Sequence, residues 1–332
     1  MKYTDNAINI ITAKSYKGIG NAWLVKNLKG NEDVSTIVSL LNNKISEKTS
    51  IAEFKHLKEM FEKKLSDKFQ DFCDGIVAMG DNDFPQYRGN VKDSEKPVFL
   101  YYKGDINLLR IENKNISVIG LLSPDEDIEE RERNVVSEFV KNGATIVSGL
   151  ALGCDSISHK EALDRNGKTV AILPSPLYNI MPATNKGLAF QIVEEGGLLI
   201  TEYGNDFKNG LELSSRYKER DRLQALFCET IVLSASYAQN SAERWKLFGE
   251  KLDSGARLAM EYAKKYNIPR AVMYDKNLDD CNPMFDLNRD LIKEQKEITV
   301  IDQINISEIV NKIMDNSSKI KKLNTVQGNL FH

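Results

Sequence analysis

The segment Thr145-Ile-Val-Ser-Gly-Leu-Ala-Leu-Gly-Cys-Asp155, followed by Ser-Ile-Ser-His159-Lys160, sets a β-branched run, a loop of small residues and a helical pattern in succession. In that layout the N–H groups of the loop and of the first helical turn converge, and the helix dipole favours negative charge beside them. Ser148, Gly149, Leu150, Ala151 and Gly153 are therefore candidate anion contacts through their backbone, and a phosphate is the anion that suits them. Asp155 falls in the first helical turn, either as a member of the phosphate site or simply as a carboxylate that the dipole favours there. His159 lies one turn later on the same face, either as a ligand contact or as a packed residue.

Two other clusters point to anions. Arg220-Asp221-Arg222 opens a predicted helix over 218–227, where cations oppose the dipole. A bound anion accounts for them, and so does an ion pair to Glu202 or Asp155. Ser254-Gly255 stands at the start of another helical pattern, as a second amide nest or as a plain N-cap. Several chemistries lack their motifs. The first Rossmann-type strand runs into Gly120-Leu-Leu-Ser-Pro rather than Gly-x-Gly-x-x-Gly, which disfavours a nicotinamide site. The chain has neither a Gly-x-Ser-x-Gly elbow nor a Gly-x-x-x-x-Gly-Lys-Ser/Thr loop.

The elements that must position these residues follow from the rest of the chain. Its 332 residues, 41% hydrophobic and 28% charged, suit an ordinary globular protein with two domains and a tail. No apolar stretch is long enough to span a bilayer and no signal-peptide pattern opens the chain, so a cytoplasmic location is expected. Four scattered cysteines and three histidines argue against disulfides and metal sites. The net charge of -3 excludes a uniformly basic nucleic-acid binder but not a local basic groove.

Residues 1–75 read as a helical domain. Within it Gly18-Ile19-Gly20 resembles a helix-hairpin-helix turn, whose amides suit a DNA phosphate; the alternative is a tight turn between packed helices. Residues 97–105 give one strand. Strands are then predicted at 116–120, 144–148, 169–173, 197–201, 230–234 and 271–274, and helices near 126–141, 154–166, 184–195, 218–227 and 240–266. This alternation predicts an α/β, Rossmann-like, doubly wound parallel sheet over 80–305, with ligands beyond the carboxyl ends of its strands. A polar tail, 315–332, follows.

Ser148 to Asp155, with Ser158-His159-Lys160-Glu-Ala-Leu163, resembles the Ser-Gly-Leu-Ala-Arg-Gly-Ile-Asp…Ala-His-x-x-Ala-Leu pattern of the DprA/Smf family of DNA-processing proteins. Further similarities follow in order: Leu100-Tyr-Tyr-Lys-Gly-Asp105, Gly167 to Leu173, Pro182-Ala-Thr-Asn185, Gly196 to Glu202, Arg220-Asp-Arg222 against the family's Arg-Asn-Arg, Ser254-Gly255 with Arg257 to Glu261, and Leu287-Asn-Arg289 with Leu291-Ile292. The resemblance implies a non-catalytic protein without a cofactor, probing no sequence in the single-stranded DNA it binds, loading the RecA recombinase in DNA uptake and recombination, and forming a homodimer. It implies phosphate contacts from the backbone of 148–153 and from Lys160, Asn185, Lys186, Arg220 and Arg222. The rival reading is a Rossmann-like sensor or hydrolase acting on a nucleotide-derived small molecule.

The chain departs from the family's pattern where charge matters. Leu152 replaces an arginine, Gly120-Leu121-Leu122 replaces Gly-Ser-Arg, and Asp221 replaces an asparagine. An extra segment, about 237–252, brings Arg244, Trp245, Lys246 and Lys251, as an added DNA contact or as a mere lengthening of a helix. The end of the tail, Gln327-Gly-Asn-Leu330-Phe331, resembles the pentapeptide that docks in bacterial sliding clamps.

Overall fold

In the computed structural model, residues 1–247, 252, 255–294 and 297–315 are described. Ser254, Lys251 and the tail with Gln327, Leu330 and Phe331 lie outside them.

Four N-terminal helices come first: α1 (Asp5–Lys14), α2 (Asn21–Asn27), α3 (Val34–Asn42) and α4 (Ile51–Phe69). Their starts are set by side-chain caps. Thr4 accepts from the Ala7 amide, Asp33 from Thr36, and Ser50 and Glu53 form a reciprocal capping box. Their apolar faces do not close on themselves. Ile8, Ile11, Leu24, Leu41, Phe54 and Phe69 belong to one buried cluster with Ala171, Leu173, Leu177 and Ala189 of the α/β unit.

The remaining elements alternate: β1 (Gly75–Ala78), β2 (Phe99–Gly104), β3 (Asn115–Ile119), α5 (Glu126–Lys141), β4 (Thr145–Ser148), α6 (Cys154–Asp164), β5 (Lys168–Ile172), α7 (Lys186–Glu194), β6 (Leu198–Thr201), α8 (Gly210–Leu226), β7 (Thr230–Leu233), α9 (Ser241–Arg244), α10 (Ala256–Tyr266), β8 (Arg270–Met273), α11 (Lys276–Asp279), α12 (Asp286–Glu294) and β9 (Ile298–Ile301). They form one sheet in the order β1-β2-β6-β5-β4-β3-β7-β8-β9. From β6 to β9 every pairing is parallel, while β2 runs antiparallel to β6 and to β1. The Rossmann-like parallel core is as the alternation predicts. The strand order reverses between β3 and β7, the position where such sheets open a ligand crevice.

Three differences from the expected elements bear on the site. The helix predicted over 218–227 starts at Gly210, because Asn209 caps it through the Glu212 amide and Glu212 in turn accepts from the Lys208 amide. The helix predicted over 240–266 is two short ones, α9 and α10. The sheet starts at Gly75 and ends at β9, two strands beyond those expected. No described helix is long and apolar enough to cross a membrane.

Candidate nucleic-acid interface

The crevice at the reversal point is about 360 Å³ and is mostly apolar. Gly120 closes β3 on one side of it. Ala151 and Leu152 come from the loop after β4, Tyr217, Arg220, Asp221 and Gln224 from α8, and Gly255, Ala256 and Ala259 from α10. Leu122 and Leu152 stand at its mouth, 46% and 45% exposed. These are positions where the resembled pattern carries arginines, so the mouth is greasy where a cationic one was the family expectation. Leu121, by contrast, is buried in the core.

The loop folds as an amide nest, and its occupant is internal. Leu150 adopts a left-handed backbone (φ 58°), and the carboxylate of Asp155 turns back to accept from the amides of Gly149 at 3.1 Å and Ala151 at 3.3 Å. Asp155 thus does more than face the helix dipole, and its carboxylate sits on the loop amides where a phosphate was expected. Burial pushes its pKa up, while Arg220 and the loop donors pull it down. Arg220 Nη1 lies 3.6 Å from the same Asp155 oxygen. With its amide turned so that the oxygen faces the donors, Gln224 accepts from both Gly149 N–H and Arg220 Nη1 at 3.0 Å. Gly149 is required here for space, since a Cβ would stand 1.3 Å from Arg220 Nη1. Arg220 is 4% exposed in its side chain and stacks 5.5 Å from the Tyr217 ring. Its Nε makes no hydrogen bond.

The other named residues divide sharply. Ser148 is buried and its hydroxyl donates to Val118 O. Gly153 (φ 67°) packs its α-carbon so close that a Cβ would meet Leu121 O at 2.2 Å. Asn185 donates to the carbonyls of Leu150 and Ala151, at 2.8 and 3.0 Å, and so holds the loop. Lys160 and Lys186 are exposed, the latter over the Phe190 ring. Gly255 precedes α10 at the crevice wall.

Several expectations need correction. His159 is fully buried, so its side chain reaches no strand on the surface. Its Nδ1 is 2.6 Å from Thr169 Oγ1, and that hydroxyl donates to Ile146 O. The hydroxyl therefore accepts from Nδ1–H, which assigns the tautomer. Burial, then Arg220, drives its pKa down to about 3, so it is neutral. Arg222 is likewise spent within the protein: it pairs with Glu202 at 2.7 Å and donates to the carbonyls of Glu95 and Glu219. Neither arginine opposes a helix dipole, because α8 begins ten residues before Arg220 and both sit towards its carboxyl end, where cations are favoured. In the extra segment, Arg244 makes a two-pronged bond to Asp290, and Trp245 Nε1 donates to Asp286. Both side chains are folded onto α12 rather than offered to DNA. Gly18-Ile19-Gly20 is a turn between packed helices, with Gly18 at φ 89° and Tyr16 stacked on Phe54.

Sequence reasoning missed a buried acid below the crevice. Glu132 of α5 is fully buried, and burial, opposed by the neighbouring Cys154 and Ser234, lifts its pKa to about 8. The run Glu129-Glu-Arg-Glu-Arg133 gave no hint, because a charged stretch reads as a solvated face. Among the described residues no cluster of three or more His, Cys, Asp or Glu side chains has the form of a metal site.

Comparison with known proteins agrees with this architecture. The chain is 32% identical over 127 residues to the Smf protein of Borreliella burgdorferi, covering 38% of this chain and 39% of that protein. It is 25% identical over 259 residues to the Smf protein of Synechocystis, covering 77% of this chain and 57% of that protein. The DNA processing protein DprA of Streptococcus pneumoniae is 26% identical over 239 residues, with 70% and 76% covered. Among solved structures, the pneumococcal DprA superposes with a TM-score of 0.64 at 22% identity, over 91% of this chain and 95% of that one. DprA from Helicobacter pylori, solved to describe its single-stranded DNA binding mode, gives 0.53 at 26% identity, over 70% and 98%. The sequence model of DNA recombination-mediator protein A matches residues 75–242, which hold the crevice loop, α6 and all of α8. Fold, motif order and family model together place the chain in the DprA/Smf family of DNA recombination-mediator proteins.

Proposed function

We propose that this protein binds single-stranded DNA without sequence preference, as a step of DNA processing and recombination, and that it does so by holding the strand rather than by transforming it. The observation that carries the reading is Arg220. It lines the crevice at the strand-order reversal of a family whose Helicobacter relative is described as binding single-stranded DNA, and its Nε, 3.7 Å from Asp221 Oδ1, makes no hydrogen bond. A phosphate oxygen at the crevice would satisfy that donor with a charge-assisted bond. The exposed lysines Lys160 and Lys186 add screened attraction around it.

The test is a titration with fluorescent oligo-dT at several salt concentrations. Binding whose logarithm falls with log salt by about 0.7 per phosphate, and a slope reduced in Arg220→Gln, support the reading. No binding at low salt, together with a nucleotide that raises the melting temperature, supports the small-molecule sensor instead. The same reading includes delivery of the strand to RecA, a homodimer, and docking of the tail in a sliding clamp. A tail peptide tests the last of these: loss of clamp binding on changing Leu330 and Phe331 to alanine supports it, and equal binding of both peptides refutes it.

A further inference from the structure

A second cleft, of about 210 Å³, lies between α1 and α4 on one side and β2 and the β6–α8 loop on the other. Lys14 and Lys64 reach into it among Phe61, Phe99, Tyr101 and Tyr203. Neither ammonium has a carboxylate within 4 Å among the described residues. Lys14 donates to Asn21 Oδ1 at 2.6 Å and sits 5.2 Å from the centre of the Phe99 ring. Lys64 bonds to the Gly204 carbonyl and to the Asn205 side chain. The acids nearby make their direct contacts elsewhere, Glu219 with the Tyr203 hydroxyl. Glu202 pairs with Arg222, Glu212 with Arg216, and Asp206 accepts from Asn179. Arg216, which also lines the cleft, is held by Glu212 and by the carbonyls of Asn205 and Asp206. Burial lowers the pKa of both lysines; Glu202 and Glu219 oppose this at Lys14, while at Lys64 the charge of Lys68 adds to it and Asp206 opposes it, so an arriving anion favours their charged form further.

The position of this cleft matters as much as its charge. It opens at the carboxyl end of β6, on the same edge of the sheet as the crevice at the end of β3. Those strands are three places apart, or about 14 Å at ordinary strand spacing. Helix α8 joins the two: Arg216 lines the cleft, and Tyr217 and Arg220, within the next turn, line the crevice. Ammonium groups without a carboxylate in direct contact, set among aromatic rings, are features that hold a polyanion carrying flat bases.

We infer that this cleft is a second contact for the same DNA single strand, with Lys14 and Lys64 on its phosphates, so that the strand crosses α8 between the N-terminal helices and the crevice. This rests on the single-stranded DNA reading above. The experiment is a salt titration with oligo-dT of about four and about sixteen nucleotides, a range that single-strand binders occlude. Lys64→Gln and Lys14→Gln/Lys64→Gln are compared with the unaltered protein, and ultraviolet crosslinking of the bound long strand is mapped to peptides of the unaltered protein. The double variant should lose about 1.4 from the salt slope for the long strand, two phosphates at about 0.7 each, and Lys64→Gln about half of that. Crosslinks should fall on peptides holding Phe61 or Tyr203. Crosslinking needs no variant, so a double variant that fails to fold leaves the inference exposed to refutation. An unchanged long-strand slope in Lys64→Gln, with no crosslink at these residues while Arg220→Gln still weakens binding, overturns this inference alone. Failure of the unaltered protein to bind either strand at low salt overturns it together with the reading on which it rests.

Discussion

Replacing Asp155 by asparagine removes the negative charge that fills the loop's own nest while keeping a side-chain oxygen for the Gly149 and Ala151 amides. The structure sets the size of the effect. Asp155 and Arg220 are 3.6 Å apart, which at an effective dielectric constant of about 20 corresponds to an attraction of roughly 4–5 kcal/mol. The carboxylate's desolvation cost, the larger influence on its pKa, is relieved by the amide, so the loss comes from leaving the buried Arg220 guanidinium without this partner. A net loss of about 2 kcal/mol in unfolding free energy is expected, read from urea denaturation. DNA binding should move the other way. With the Asp155 charge gone, Arg220 acts on its phosphate unopposed, and the nest loses the carboxylate that competes there with a further phosphate. Fluorescence titration with oligo-dT, made well below the unfolding midpoint, should show tighter binding at low salt and a slope steeper by about 0.7. Weaker binding in parallel with the lost stability, or an unchanged slope, would refute the idea that Asp155 holds the place of a DNA anion.

Three further outcomes follow from the same geometry. Leu152→Arg sets a cation at the crevice mouth on a side chain already 45% exposed, so stability should change by less than about 0.5 kcal/mol while the salt slope for oligo-dT rises by about 0.7; no change in slope would mean the strand avoids this mouth. Arg222→Ala strands the Glu202 carboxylate and should cost about 3–5 kcal/mol of stability, and in the same titration the freed carboxylate, which shares the second cleft with Lys14, should lower the salt slope of the folded fraction. Finally, two buried groups set opposing pH slopes. His159 falls to about 3 in the folded protein from an ordinary value near 6.5, so the unfolded chain takes the extra proton and stability drops as pH falls below about 6.5. Glu132 rises to about 8 from an ordinary 4.5, so the folded protein keeps the proton and stability drops as pH rises from about 4.5 to 8. The slopes cancel between about 4.5 and 6.5, and from there to about 8 a loss of roughly 2 kcal/mol remains, at about 1.4 per pH unit. Urea unfolding across that range should show the loss in the unaltered protein and not in Glu132→Gln.

How much of this was legible in the sequence depends on how local its cause is. Helix α5 was placed at its true ends because Asp125 caps it, three acids fill its first turn and its apolar residues recur at helical spacing. The central parallel strands were legible as short apolar runs, being covered on both faces. Strands β1 and β9, four residues each and near the sheet's edges, carry too short a pattern to be told from loop. The start of α8 was missed because its cap, Asn209, precedes Gly210, and Asn-Gly reads as a turn. That single misplacement put Arg220 and Arg222 at the wrong end of a helix dipole. The burial of His159 had no pattern to betray it: Cys154 to His159 are buried without a break, so α6 shows no polar face there.

The nest's occupant was illegible for a different reason. Asp155 reaches Gly149 and Ala151 only because Leu150 takes a left-handed conformation that residue type does not announce. Once that bond is known, the substitutions around it form one pattern. Leu122 and Leu152 take two cations from the crevice mouth, Asp155 neutralises Arg220 inside it, and Glu202 consumes Arg222. A crevice so depleted of free charge holds a polyanion weakly by itself, because the salt-dependent part of binding scales with the phosphates neutralised. Among the described residues, Lys14 and Lys64, one helical turn along α8, are ammonium groups in a cleft with no carboxylate in direct contact, and the exposed Lys160 and Lys186 lie outside it. On the single-stranded DNA reading, Lys14 and Lys64 of the N-terminal helices therefore carry part of the electrostatic attraction that the loop has lost, beside the exposed Lys160 and Lys186, and the crevice contacts the strand mainly through its apolar walls and Arg220.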